Sequence, residues 1–113
     1  MDEAALWRRV GGQVVAREQL CYLLEQAELA NVTLQVLPLD SGAHSGMNGA
    51  FTLLEFPDPS DPGVLYVEYP TGSLHVEKDT EVAAGRLAFD ALHSEALDVI
   101  ESKSLIRNLS EKL

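Results

Sequence analysis

The chain has 113 residues, of which 46% are apolar and 23% charged; that suits one globular domain with a real core and excludes wholesale disorder. Its formal net charge is -10, from 18 Asp and Glu against 8 Lys and Arg, a balance that argues against nucleic-acid binding and against anionic membrane surfaces. One cysteine, Cys21, excludes an intramolecular disulfide and fits a reducing compartment.

In chain order, Asp2 to Arg9 reads as a short helix or an irregular lead-in, and Gly11-Gly12 breaks it. "QVVAREQLCYLLEQAEL" reads as a helix from about Gln13 to Leu29, with Ala16, Leu20, Leu23, Leu24 and Ala27 on one face. Cys21, with no basic neighbour, reads as a helix-packing residue. "VTLQVLPL" is strand-like: Val32, Leu34 and Val36 alternate with Thr33, Gln35 and Leu37, and Pro38 ends regular pairing. A glycine loop follows. "FTLLEF" is a second strand from Phe51 to Phe56, "PDPSDPG" a rigid turn, "VLYVEY" a third strand from Val64 to Tyr69, and "SLHVE" a short fourth.

From Asp79 the period changes to that of a helix running to about Leu97, with Thr80 as its cap. Arg86, Asp90, His93 and Ser94 form its polar side; the apolar arc is wider than one sheet contact requires, so the helix is expected to be covered on two sides. A last helix runs from about Ser102, its cap, to Leu113 and carries Leu105, Ile106 and Leu109. Strands joined by short links, without helices between them, point to an α+β fold: a small, mostly antiparallel sheet of about four strands with helices packed on one face.

Between Arg17 and Lys78 there is no Lys or Arg across 60 residues (18 to 77), while nine carboxylates lie there. Basic or neutral partners are therefore favoured. No window has the apolar length of a membrane span, and "MDEAALWRR" lacks the apolar region of a signal peptide; the expected location is the cytoplasm.

The glycine loop "LPLDSGAHSGMNGAF" is not a phosphate cradle. Its glycines fall at 42, 46 and 49, no lysine follows, and a strand rather than a helix comes next. A long connection needing positive φ explains them more simply. Long loops in compact domains are often functional, so Ser41, His44, Ser45 and Asn48, with Glu55 and Glu68 on flanking strands, are the candidate ligand-binding set for a small neutral or cationic molecule. No residue is assigned a catalytic role, and no cofactor or metal is expected: His, Cys and carboxylates do not converge at zinc spacing, and Asp58 and Asp61 do not match a calcium loop. Trp7, outside any core pattern, is an interface candidate or a staple onto the next helix. Leu87, Phe89 and Leu92 on the wide apolar arc are further interface candidates.

"NVTLQVLP", "SGAHSGMNGAFTLLEFPDP", "VLYVEYPTGSL" and "RLAFDAL" together resemble a domain of unknown function common in actinobacterial proteins, which usually follows an XRE-type helix-turn-helix. The likeness covers nearly the whole chain and corresponds to the C-terminal portion of that domain. It implies the sensing or interaction half of a transcriptional regulator, without catalytic residues to transfer. No helix-turn-helix is present in this sequence. The chain is thus expected to be a single, partial effector or interaction domain that pairs with a protein partner or a second copy and makes no nucleic-acid or membrane contact of its own. Two other readings follow from other features: a small-molecule enzyme with its site under the 38–50 loop, and the toxin-like partner of a small antitoxin.

Overall fold

The computed structural model describes residues 1–43 and 49–113. It is α+β, with helices α1 (Ala4–Trp7), α2 (Gln13–Ala27), α3 (Asp79–Glu95) and α4 (Val99–Glu111), and strands β1 (Thr52–Leu54), β2 (Val64–Tyr69) and β3 (Gly72–Val76). Contacts divide it into two compact units, Met1–Gly42 with Glu95–Leu113, and Ala43–Ser94.

The first unit is helical. Leu6 of α1, Leu20 of α2, Val36, and Ile106 and Leu109 of α4 form its core, with Leu23, Leu24, Leu34, Leu105 and Leu113 packed round them. The expected face of α2 is the one that is buried: Ala16, Leu20 and Ala27 are sequestered. Cys21 instead lies on the exposed side of the helix, one position past Leu20 and so about 100° round the wheel from the core stripe.

The segment expected to be a regular strand at 32–37 is extended but joins no sheet. Its one ladder contact is a parallel bridge between Leu37 and Asp2. The Leu37 N–H donates to the Met1 carbonyl at 2.8 Å, and the Glu3 N–H donates to the Leu37 carbonyl at 2.9 Å. On its other side no strand lies alongside among the described residues. The fully buried Val36 donates its N–H to Ser102 Oγ at 2.9 Å and accepts from the Leu97 N–H at 2.9 Å. Gln35 Nε2 donates to the Leu97 carbonyl at 3.0 Å. A buried backbone must find partners, and here a helix start and one serine supply them.

That arrangement corrects two helix boundaries. The Leu97 N–H is committed to Val36, so α3 ends at Glu95 rather than at Leu97. At the other end α3 begins at Asp79, which puts Thr80 inside the first turn rather than at the cap. Ser102 is not the cap of α4 either. Asp98 is, its Oδ1 accepting from the Glu101 N–H at 2.7 Å. The signal was in the sequence: "DVIE" has a capping Asp followed three residues later by Glu, the pattern of a capping box. The nearby Asp98 carboxyl holds that of Glu101 above its ordinary value.

The second unit holds the sheet, in the order β1-β2-β3 and antiparallel throughout. Among the described residues it has three strands rather than about four, because 32–37 belongs to the helical unit. Between β1 and β2 the "PDPSDPG" turn is braced by two aspartates. Asp58 Oδ1 accepts from the Ser60 N–H and hydroxyl at 2.9 and 2.8 Å, and Asp61 Oδ1 accepts from the Gly63 N–H at 2.9 Å. The Ser60 backbone bond, then its hydroxyl, hold the Asp58 carboxyl below its ordinary range. Gly63, at φ +91°, leaves no room for a Cβ against the Leu54 carbonyl, so both conformation and space require glycine. Against one face of the sheet lies α3, the one helix of this unit among the described residues. A Cβ on Gly85 would come 3.0 Å from a Leu65 methyl; the glycine lets helix and strand approach closely.

The Val36–Ser102 bond yields a stability prediction. Ser102→Ala strands a buried N–H, which costs about 1–3 kcal/mol. Urea unfolding should show a lower midpoint with an unchanged slope. A loss under about 0.5 kcal/mol, the usual range for surface substitutions, would mean that the bond carries little.

Candidate functional site

Pairing register sorts the side chains of the sheet onto two faces. Directly opposed residues share a face and neighbours along a strand alternate. Leu65, opposite Leu53 and Val76, faces α3. Tyr66, opposite Thr52 and His75, therefore faces away from α3, as do Glu68 and its partner Ser73.

These residues form a connected polar cluster on the outer face. The Tyr66 hydroxyl donates to Glu68 Oε1 at 2.7 Å. The Tyr66 and His75 rings lie 4.9 Å apart, tilted by 55°. The bond to Glu68 pushes the Tyr66 phenol above its ordinary value; the Ser73 hydroxyl opposes this in part, and the charge on Glu68 adds to it. The phenol serves as a donor to Glu68. With one carboxylate and two rings on an open strand surface, the cluster is chemically suited to a cation or a hydrogen-bond donor.

The α3 side is different. A cleft of about 360 Å³ is lined by Pro62, Asp79, Val82, Ala83, Arg86, Leu87 and Asp90. Arg86 Nη1 meets Glu55 Oε1 at 2.7 Å. That hydrogen bond, then the charge on Glu55, with a smaller contribution from Asp90, raise the guanidinium pKa further. The local charge is three carboxylates against one guanidinium already engaged by Glu55, so the cleft is acidic. Its rim is apolar: Leu87 is 71% exposed, and Phe89, on the same helix, is 51% exposed.

The expected ligand set does not converge. Glu55 reaches α3 and Glu68 lies on the opposite face of the sheet, so these two carboxylates do not share a pocket. Ser41 ends a 3₁₀ turn, and its hydroxyl donates to the Pro38 carbonyl at 2.7 Å. His44, Ser45 and Asn48 lie outside the described residues. Trp7 is half exposed; its indole N–H donates to Glu3 Oε2 at 2.8 Å, and Lys112 lies over the ring at 5.9 Å. Of the α3 candidates, Leu87 and Phe89 are exposed and Leu92 is half-buried. The expectation that this helix is covered on two sides does not hold: one side is buried, at Val82 and Gly85, and Leu87 stands open. Nothing local in the sequence groups Tyr66, Ser73 and His75. The period of two along "VLYVEY" and "SLHVE" carried the signal, but only the register "Tyr66 opposite His75" brings them together.

A family profile described as a domain of unknown function (DUF5753) matches residues 1–108, which spans both units. No curated protein and no solved structure gives a significant match. Among the described residues no helix is long and apolar enough to cross a membrane.

The Tyr66–Glu68 bond has a spectroscopic signature. In an absorbance-detected alkaline titration of the three tyrosines, one should ionise above the ordinary phenol range. Tyr66→Phe should remove that component, and Glu68→Gln should move it down. A component that survives Tyr66→Phe would show that the bond does not persist in solution.

Proposed function

The chain belongs to the DUF5753 family of domains of unknown function, and from that membership and its surface we propose that it is a non-enzymatic binding module: the protein-interaction or ligand-sensing half of a regulator of the XRE helix-turn-helix type, acting without DNA contacts of its own. The observation that carries this reading is the open side of α3. A helix that buries Val82 and Gly85 on its own sheet leaves Leu87 71% exposed above an acidic cleft. Leu87 stands open beside a cleft whose ends are carboxylates, and an apolar group joined to a polar-rimmed cleft fits an interaction surface.

Electrostatics supports the division of labour. A chain of net charge -10 with no cation from 18 to 77 gains nothing from counterion release on a duplex. Such a domain is suited to receive a signal or a partner while another segment holds the operator. The outer-face cluster of Tyr66, Glu68 and His75 suits small donor or cationic molecules.

The test is a mobility shift with duplex DNA at physiological ionic strength and again at low salt. The chain should leave the duplex unretarded under both conditions. A retarded band that fades with added salt would overturn the reading, because it would show the phosphate contacts that this charge pattern excludes.

A further inference from the structure

The cleft residues on α3 are not a scatter. Asp79, Val82, Ala83, Arg86, Leu87 and Asp90 follow one another at intervals of three, one, three, one and three, which is a single stripe along one side of a helix. Carboxylates stand at both ends, eleven residues apart; at 1.5 Å per residue that is about 16 Å, or three turns. Between them lie apolar groups and Arg86, the latter held by Glu55. We infer that this stripe is the docking surface for a basic amphipathic helix of a protein partner, with apolar side chains against the exposed Ala83 and Leu87 over a floor set by the buried Val82, and Lys or Arg residues about three turns apart on Asp79 and Asp90. The inference rests on the interaction reading above and names its surface and the chemistry of the partner.

Charge selects this occupant. A second copy would set the same two carboxylates against each other on a chain that already carries -10, and like charges in contact are selected against. Nucleic acid is repelled for the same reason. A small ligand is a poor fit: about 360 Å³ is at the low end of small-molecule pockets, about 300–1,000 Å³, and a rim residue as exposed as Leu87 does not close over one. A partner helix needs no enclosure. It buries Leu87 and Ala83 along its length, the helix-in-groove mode of recognition.

The probe is a labelled synthetic helical peptide with leucines on one face and lysines three turns apart flanking them; a control peptide has glutamates in place of the lysines. Binding to the full chain is read by fluorescence anisotropy, and the surface by amide chemical-shift changes. The lysine peptide should bind, shift amides over residues 79–90 and weaken with salt, while the glutamate peptide should not bind. Leu87→Lys should weaken binding by about tenfold or more, as expected of a central anchor. Asp79→Asn with Asp90→Asn should weaken it by about fivefold, as expected of two exposed charges. Val14→Lys makes the same charge change at a position 69% exposed on α2 and should leave binding unchanged.

Equal weakening by Leu87→Lys and Val14→Lys would reduce the effect to general charge attraction and overturn the inference. So would the absence of peptide binding, tight binding of the glutamate peptide, or a concentration-dependent dimer in sedimentation that Leu87→Lys dissolves. Peptide binding that shifts amides elsewhere and ignores Leu87→Lys would sink the surface assignment alone and leave the interaction reading standing. The DNA retardation described above would instead remove that reading.

Discussion

The helical unit depends on how the backbone of Val36 is satisfied. Val36 is fully buried, and an extended segment in that position ordinarily needs a strand on each side. Here one side is served by Met1 and Glu3, the other by Leu97 and the hydroxyl of Ser102. The serine is itself buried, with no exposed surface, so its hydroxyl cannot turn to water instead. Its position in the first turn of α4 is what lets a helix approach a strand-like segment closely enough to bond it. A larger side chain there would hold the two apart, and an apolar one would leave the N–H stranded.

That constraint propagates through each unit by itself. Because Leu97 bonds to Val36, α3 stops at Glu95, and Asp98 is free to cap α4. With α4 so placed, Ile106 and Leu109 meet Leu6, Leu20 and Val36 in one core. Because 32–37 is spent in this unit, the sheet of the other unit has three strands and one covering helix. A small sheet with one helix on it leaves its outer face to its own side chains: Tyr66 bonds to Glu68 and packs its ring against His75.

The elements legible in the sequence are those whose own periodicity decided them. Gln13–Ala27 showed a helical stripe, and the stripe is the buried face. "VLYVEY" and "SLHVE" alternated, and they pair. Where a distant residue decides, local pattern misleads. Val32 to Leu37 has the alternation of a strand, yet among the described residues it has one isolated bridge to Asp2 and joins no sheet, and the Val36 N–H goes to a side chain 66 positions away. Ser102 looked like a cap because serines cap helices, and nothing local distinguishes it from a serine that serves a remote N–H; the adjacent "DVIE" was the better cap signal. The paired carboxylates misled similarly. Glu55 follows the end of β1 and Glu68 lies on β2, but Glu55 turns to Arg86 on α3 while the register puts Glu68 on the other face of the sheet.

The charge distribution, by contrast, was fully legible and gains meaning only from the fold. A run of nine carboxylates without a cation is by itself a statement about solubility and about which partners are repelled. The fold separates its members by what they do. Asp58 and Asp61 brace a turn, Glu68 holds a phenol, and Glu55 holds Arg86. This last pair matters most for the surface: by engaging the one guanidinium in the α3 cleft, Glu55 leaves the sign of that cleft to Asp79 and Asp90. An acidic sequence thereby becomes a directional surface, with an apolar strip between two negative ends. The same net charge spread evenly over the chain would repel nucleic acid equally well and would select no partner at all.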